Sequence, residues 1–159
     1  MFNASKILYI TDYDFGEEFD LRNKYLIILH YFEGKLVLVS LTTSVCNIPT
    51  EILLDGCIKH DDRNIHSYFF PKDKIISDNG FFFEKDTFIN INRSQVFESE
   101  IQYINTKYVE PGKTEEKCCI NDAHFLELLY CIYKSKFIPK KTKQILEPVL
   151  EELSKKANT

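Results

Sequence analysis

No segment of this 159-residue sequence approaches the ~18 uninterrupted apolar residues that a membrane-spanning helix requires. Its first residues, MFNASKILYITDYDFGEEF, lack the basic stretch and long apolar run of a secretory signal. The expected location is therefore cytoplasmic, with no membrane contact. Glycine is scarce, at five residues, and neither common phosphate-binding glycine pattern is present. Metalloprotease helix and calcium-loop motifs are missing too. These absences exclude most nucleotide-dependent enzymes, and no cofactor or metal is expected. An excess of basic charge is also lacking. Lys and Arg total 20 against 24 Asp and Glu, a formal net charge of -4. That argues against a dedicated nucleic-acid coat protein and still permits a local basic cleft, because total charge says little about one groove. The five cysteines, an odd number, are expected as reduced thiols rather than as a disulfide framework.

Aromatic residues are abundant: thirteen Phe and nine Tyr, with no Trp. Hydrophobic residues make up 44% of the chain, enough for one core in a length close to the usual domain size of about 100–150 residues. A single domain over residues 1–159 is expected, mainly β, with a strand-rich barrel over 1–113 and a helical segment over 120–156.

The segment Lys6–Tyr13 is rich in β-branched and aromatic residues and reads as a strand. An acidic cluster, Asp12, Asp14, Glu17, Glu18 and Asp20, is of a kind that could bind a cation, but it is read in preference as a solvated loop that follows the strand. Tyr25–Phe32 and Lys35–Thr42 are apolar runs separated by Glu33-Gly34, a hairpin signal. Both runs are nearly continuous, so both faces of this hairpin should be covered. Lys74–Ser77 and Phe81–Glu84 flank Asp78-Asn79-Gly80 and suggest a second hairpin. Thr87–Ile91 reads as a short strand, and the composition of Ile101–Val109 also favours a strand. From Asn121 or Asp122 as N-cap, Phe125, Leu128, Leu129, Ile132 and Tyr133 fall at helical spacing. Pro139 opens a second helix through Leu153, which Pro148 should kink or divide. The last residues, 155–159, are expected to fray.

Several groups carry chemistry in principle. Cys118, Cys119, His124 and Cys131 are close in sequence, but adjacent cysteines do not match zinc-ligand spacing, and Cys131 lies beside an apolar helical stripe. His30 and His66 each lack a paired nucleophile, which favours a structural role. A different constellation lies at the open end of the central hairpin, where Arg22 and Lys24 precede one strand and Thr42-Thr43-Ser44 follow the next. A hairpin brings these ends together, so a cation and a hydroxyl would face one site. That pairing suits RNA cleavage by the substrate's own 2′-hydroxyl, which needs charge stabilisation at phosphorus and no metal. The same residue types are also common turn chemistry.

Asp12–Phe15, Arg22–Leu29 and Leu36–Ser44, together with Thr87–Phe97 and the C-terminal helix, resemble the MazF/PemK toxin family over roughly residues 6–153, with an insertion-like stretch around 55–86. The resemblance implies an SH3-like barrel capped by helices, usually a homodimer. It further implies a metal-independent endoribonuclease that cuts single-stranded RNA and is inhibited by a cognate antitoxin protein. Matched by position, Thr43 or its neighbour Ser44 takes the hydroxyl role. The cation is Lys24 by gapless alignment or Arg22 by chemistry. Neither is followed by the proline of the family pattern, and a lysine cannot make a forked bidentate contact. The alternative is a non-catalytic barrel of this kind that binds a protein or peptide through Tyr25, Tyr31, Phe69 and Phe70.

Overall fold

The computed structural model describes residues 1–14, 21–43, 48–93 and 95–158. Eight strands among them form two antiparallel sheets, and helices follow at the C-terminus. The larger sheet is built from β1 (Lys6–Tyr13), β2 (Arg22–Phe32), β3 (Lys35–Ser40), β7 (Val96–Glu100) and β8 (Thr114–Cys119), in the order β7-β3-β2-β1-β8. The smaller holds β4 (Gly56–His60), β5 (Ile65–Phe70) and β6 (Thr87–Asn90) in sequence order. An isolated bridge between Thr42 and Phe88 ties the end of β3 to the smaller sheet. The two residues exchange both backbone hydrogen bonds, each at 2.9 Å.

The central hairpin forms as its sequence dictates. Glu33 and Gly34 both take positive φ, 46° and 78°, the pair of left-handed conformations that matches the twist of the strands they join. Phe32 then faces Lys35 across the turn. The continuous apolar runs do cover both faces. Ile7, Ile27, Leu29, Val37 and Val39 point into the main core, shared with the helices and the second sheet. Leu8, Ile10, Leu26, Ile28, Leu36 and Leu38 point to the opposite side, against Ile104 and Tyr108.

That second layer corrects the reading of 101–109 as a strand. It is helical, a short α1 (Ile101–Ile104) widening into a looser turn over Asn105–Val109. Ile104 and Tyr108 are buried and Ile101 packs with them, so the apolar spacing there is three and four rather than two. The chain turns at Pro111-Gly112 and returns as β8, paired with β1 along Lys6–Ile10. The segments flanking Asn79-Gly80 are not ladder strands. They form a tight turn, in which Ile76 N–H donates to the Phe81 carbonyl at 3.0 Å and Asp73 N–H to that of Phe83 at 2.9 Å.

Helix α2 (Asp122–Tyr133) starts at Asn121, whose side chain accepts the His124 N–H at 2.9 Å, satisfying one of the first-turn donors. Helix α3 (Lys140–Ala157) runs through Pro148 undivided and buries Leu146, Val149, Leu150 and Leu153. Its run to Ala157 leaves less of the end frayed than expected. No helix among the described residues is long and apolar enough to cross a membrane. The cysteine expectation also needs correcting: Cys57 of β4 and Cys131 of α2 form a disulfide, with Cα atoms 5.6 Å apart, while Cys118 and Cys119 are free.

Candidate functional site

The open end of the central hairpin lies where the sequence places it. Leu41 N–H donates to the Tyr25 carbonyl at 3.1 Å, extending the β2–β3 pairing by one step. Beside that step a groove of about 610 Å³ opens, and both Lys24 and Thr43 border it. Arg22 is exposed on β2, paired with Tyr13 across the sheet, and is not among the groove residues. Ser44 lies outside the described residues.

Strand alternation separates the roles of neighbouring residues. Arg22 and Lys24 share the pleat side of Leu26 and Ile28, whereas Tyr25 shares that of Ile27 and Leu29. Lys24, which borders the groove at the end of the hairpin, therefore lies on the pleat side opposite to Tyr25, whose ring packs with the aromatic wall. Half-burial and, after it, the Arg22 guanidinium hold the Lys24 pKa below that of an ordinary ammonium.

The wall of the groove is aromatic. Tyr25 stands 4.8 Å from Tyr9 between ring centroids and meets the edges of Phe81 at 6.3 Å and Phe83 at 5.1 Å. Phe83 is buried and continues the cluster inward to Phe70 at 5.4 Å. Phe82 is 41% exposed and borders the groove as well. Burial raises the Tyr25 pKa, so the phenol stays protonated as a hydrogen-bond donor.

The cation lying over these rings is one the sequence reading missed. Lys117 of β8 lies 5.4 Å above the centre of the Tyr9 ring and is held by Glu115 at 2.9 Å. The Glu115 carboxylate, hydrogen-bonded to it, raises its pKa, so it stays charged. Lys85 and Glu84 complete the charged rim. Three lysines and one glutamate thus border the groove, Lys117 with its charge paired to Glu115. The one signal that could have found Lys117 was its alternation with Glu115 on a strand, and that strand was itself not recognised.

Other candidate groups resolve differently. His124 Nδ1 lies 2.8 Å from Asn121 Oδ1, within the α2 cap. His30 is half-buried and stacks 6.0 Å from Phe32; desolvation lowers its pKa. Of the loop acids, Asp14 is fixed by Lys107 at 3.0 Å, and residues 15–20 lie outside the described residues. Of the four aromatic residues expected to form a protein-binding surface, Phe69 and Phe70 are buried, 7% and 2% exposed, because β5 is the middle strand of its sheet. Tyr31 is exposed and Tyr25 lies in the groove. No protein-family model, curated protein or solved structure matches the chain.

Proposed function

We propose that this chain binds single-stranded RNA in the aromatic groove and cleaves it there without a metal, as the toxin of a toxin–antitoxin pair. The observation that carries the binding claim is a groove lined by aromatic rings and bordered by three lysines on a protein of net acidic charge. Exposed bases stack on aromatic side chains, and lysines track the phosphates between them. A double helix keeps its bases paired and presents no free faces to such rings, so a single strand is the fitting ligand.

Cleavage is supported by the residues at the groove's end. The 2′-hydroxyl gives up its proton to solvent as its oxygen attacks the adjacent phosphorus to form a cyclic phosphate, and the bond to the 5′-oxygen breaks, leaving a 5′-hydroxyl. The Thr43 hydroxyl is suited to hydrogen-bond a phosphate oxygen. Lys24, with its lowered pKa, is suited to supply positive charge and a proton to the leaving oxygen. Arg22, two residues earlier on the same pleat side, adds a permanent charge that depresses Lys24. The resemblance to the MazF/PemK family extends this reading to an SH3-like barrel, a homodimer and an antitoxin partner. The Thr42–Phe88 bridge between the two sheets is compatible with such a barrel.

Incubation of the purified chain with single-stranded RNA in excess EDTA tests the proposal. Cleavage is expected, with Thr43→Ala, Lys24→Ala and Arg22→Ala each reducing it. Undiminished cutting by all three variants would reject the catalytic assignment, and binding without cutting would reject cleavage alone. Growth arrest on expression in a bacterium, relieved by a small protein encoded beside it, would support the toxin reading.

A further inference from the structure

Away from the groove, three side chains from three elements converge on one point. Cys57 comes from β4, His66 from β5 and Cys131 from α2. One ligand-capable atom of each lies within 4.8 Å of the others. His66 Nε2 stands 3.7 Å from Cys57 Sγ and 3.4 Å from Cys131 Sγ. His66 is fully buried and Cys131 nearly so.

These distances can be compared with a metal's requirement. Zinc bonds of about 2.3 Å to sulfur and about 2.0–2.1 Å to nitrogen, at a tetrahedral angle, separate S from N by about 3.6 Å. Both sulfur–nitrogen edges of the cluster already stand within about 0.2 Å of that value. The sulfur–sulfur edge is the one closed by the disulfide, and tetrahedral zinc needs it open to about 3.8 Å. The disulfide state therefore departs from tetrahedral zinc geometry chiefly along one edge of a triangle contributed by β4, β5 and α2.

We propose that Cys57, Cys131 and His66 bind one zinc ion when the disulfide is reduced, and that the disulfide is the oxidised, metal-free state of the same site. A fourth position is open. A second groove, about 410 Å³, is lined by both cysteines and by Asp55, Glu127 and Lys134, so water reaches the metal from that side. Glu127 stands at this opening: its Oε2 accepts the Tyr68 hydroxyl at 3.2 Å and would lie 3.8 Å from a β-carbon placed on Gly56.

The interconversion balances with ordinary reagents. A phosphine reductant supplies two electrons and leaves as its oxide, taking oxygen from water, and the S–S bond becomes two thiols. Zinc then displaces the two thiol protons. In reverse, hydrogen peroxide takes two electrons from the two thiolates and becomes water with two protons. The S–S bond re-forms and zinc is released.

The test uses the full chain and a triple variant, Cys46→Ser/Cys118→Ser/Cys119→Ser, that keeps only the two site thiols. After reduction with a phosphine, both should bind one Co²⁺ with thiolate-to-cobalt charge-transfer bands and the intense visible bands of four-coordinate cobalt. Native mass spectrometry should show one Zn²⁺, and peroxide should release it to a chromophoric chelator. Cys57→Ser should weaken binding by more than the roughly 10- to 100-fold that an outer-shell change costs. Zinc should also protect Cys57 and Cys131 of the triple variant from alkylation, a readout that does not depend on the Cys57→Ser chain folding. Failure of the reduced chain to bind Co²⁺ or Zn²⁺ would overturn the proposal. So would binding lost in the triple variant, binding that survives Cys57→Ser unchanged, or alkylation of both thiols at an undiminished rate.

Discussion

Replacing Lys117 with alanine removes one of the three ammonium groups that border the aromatic groove. It also leaves the Glu115 carboxylate, its 2.9 Å partner, unneutralised. For single strands, each phosphate neutralised contributes a slope of about -0.7 to the log–log dependence of affinity on salt. Three lysines on three phosphates therefore predict a slope of about -2.1, and two predict about -1.4. Between about 50 and 200 mM salt, wild-type affinity should fall about 18-fold and that of Lys117→Ala about 7-fold. Anisotropy of a labelled single-stranded RNA across a salt series measures both slopes. The Lys117 side chain is 26% exposed on an edge strand, so circular dichroism should show the fold unchanged. A variant slope equal to that of the wild type, or a wild-type affinity indifferent to salt, would refute the placement of phosphates in this groove.

The rings of the groove make a separate prediction. Phe82 is largely outside the core, so Phe82→Ala should leave stability nearly unchanged and weaken RNA binding by about 1–3 kcal/mol if a base stacks on it; titration with the same RNA reads the difference. The Cys57–Cys131 bridge closes a span of 74 residues, for which chain entropy predicts a stabilisation of about 4 kcal/mol. Urea unfolding with and without a reductant, both in a metal chelator, should show a loss approaching that size. Asn121→Ala should destabilise the protein by about 1 kcal/mol through the lost α2 cap, visible as a shift in the same unfolding midpoint.

Where a segment's composition and its tertiary setting agreed, its structure could be read directly. Lys6–Tyr13 forms a strand with the expected bounds, and Glu33-Gly34 forms the expected turn. The continuous apolar runs of β2 and β3 correctly implied two covered faces. Ile101–Val109 failed for a physical reason: its β-branched content favours a strand, yet Ile101, Ile104 and Tyr108 sit at helical spacing, and packing on the sheet settled the competition. β8 was invisible because Thr114–Cys119 is a charged edge strand with no apolar signal, a common defence of an exposed edge. With β8 unread, Lys117 was unread too. Pairing of the hairpin's ends did bring Lys24 and Thr43 to one groove. The Cys57–His66–Cys131 cluster joins residues up to 74 positions apart and leaves no local spacing to recognise.

Photocrosslinking places the ligand most directly. A single-stranded RNA carrying 4-thiouridine, irradiated on the protein and mapped by mass spectrometry, should attach to Tyr9, Tyr25 or Phe81–Phe83. Attachment confined to other surfaces, or no attachment above that of a duplex of equal length, would contradict the assignment of this groove as the RNA site.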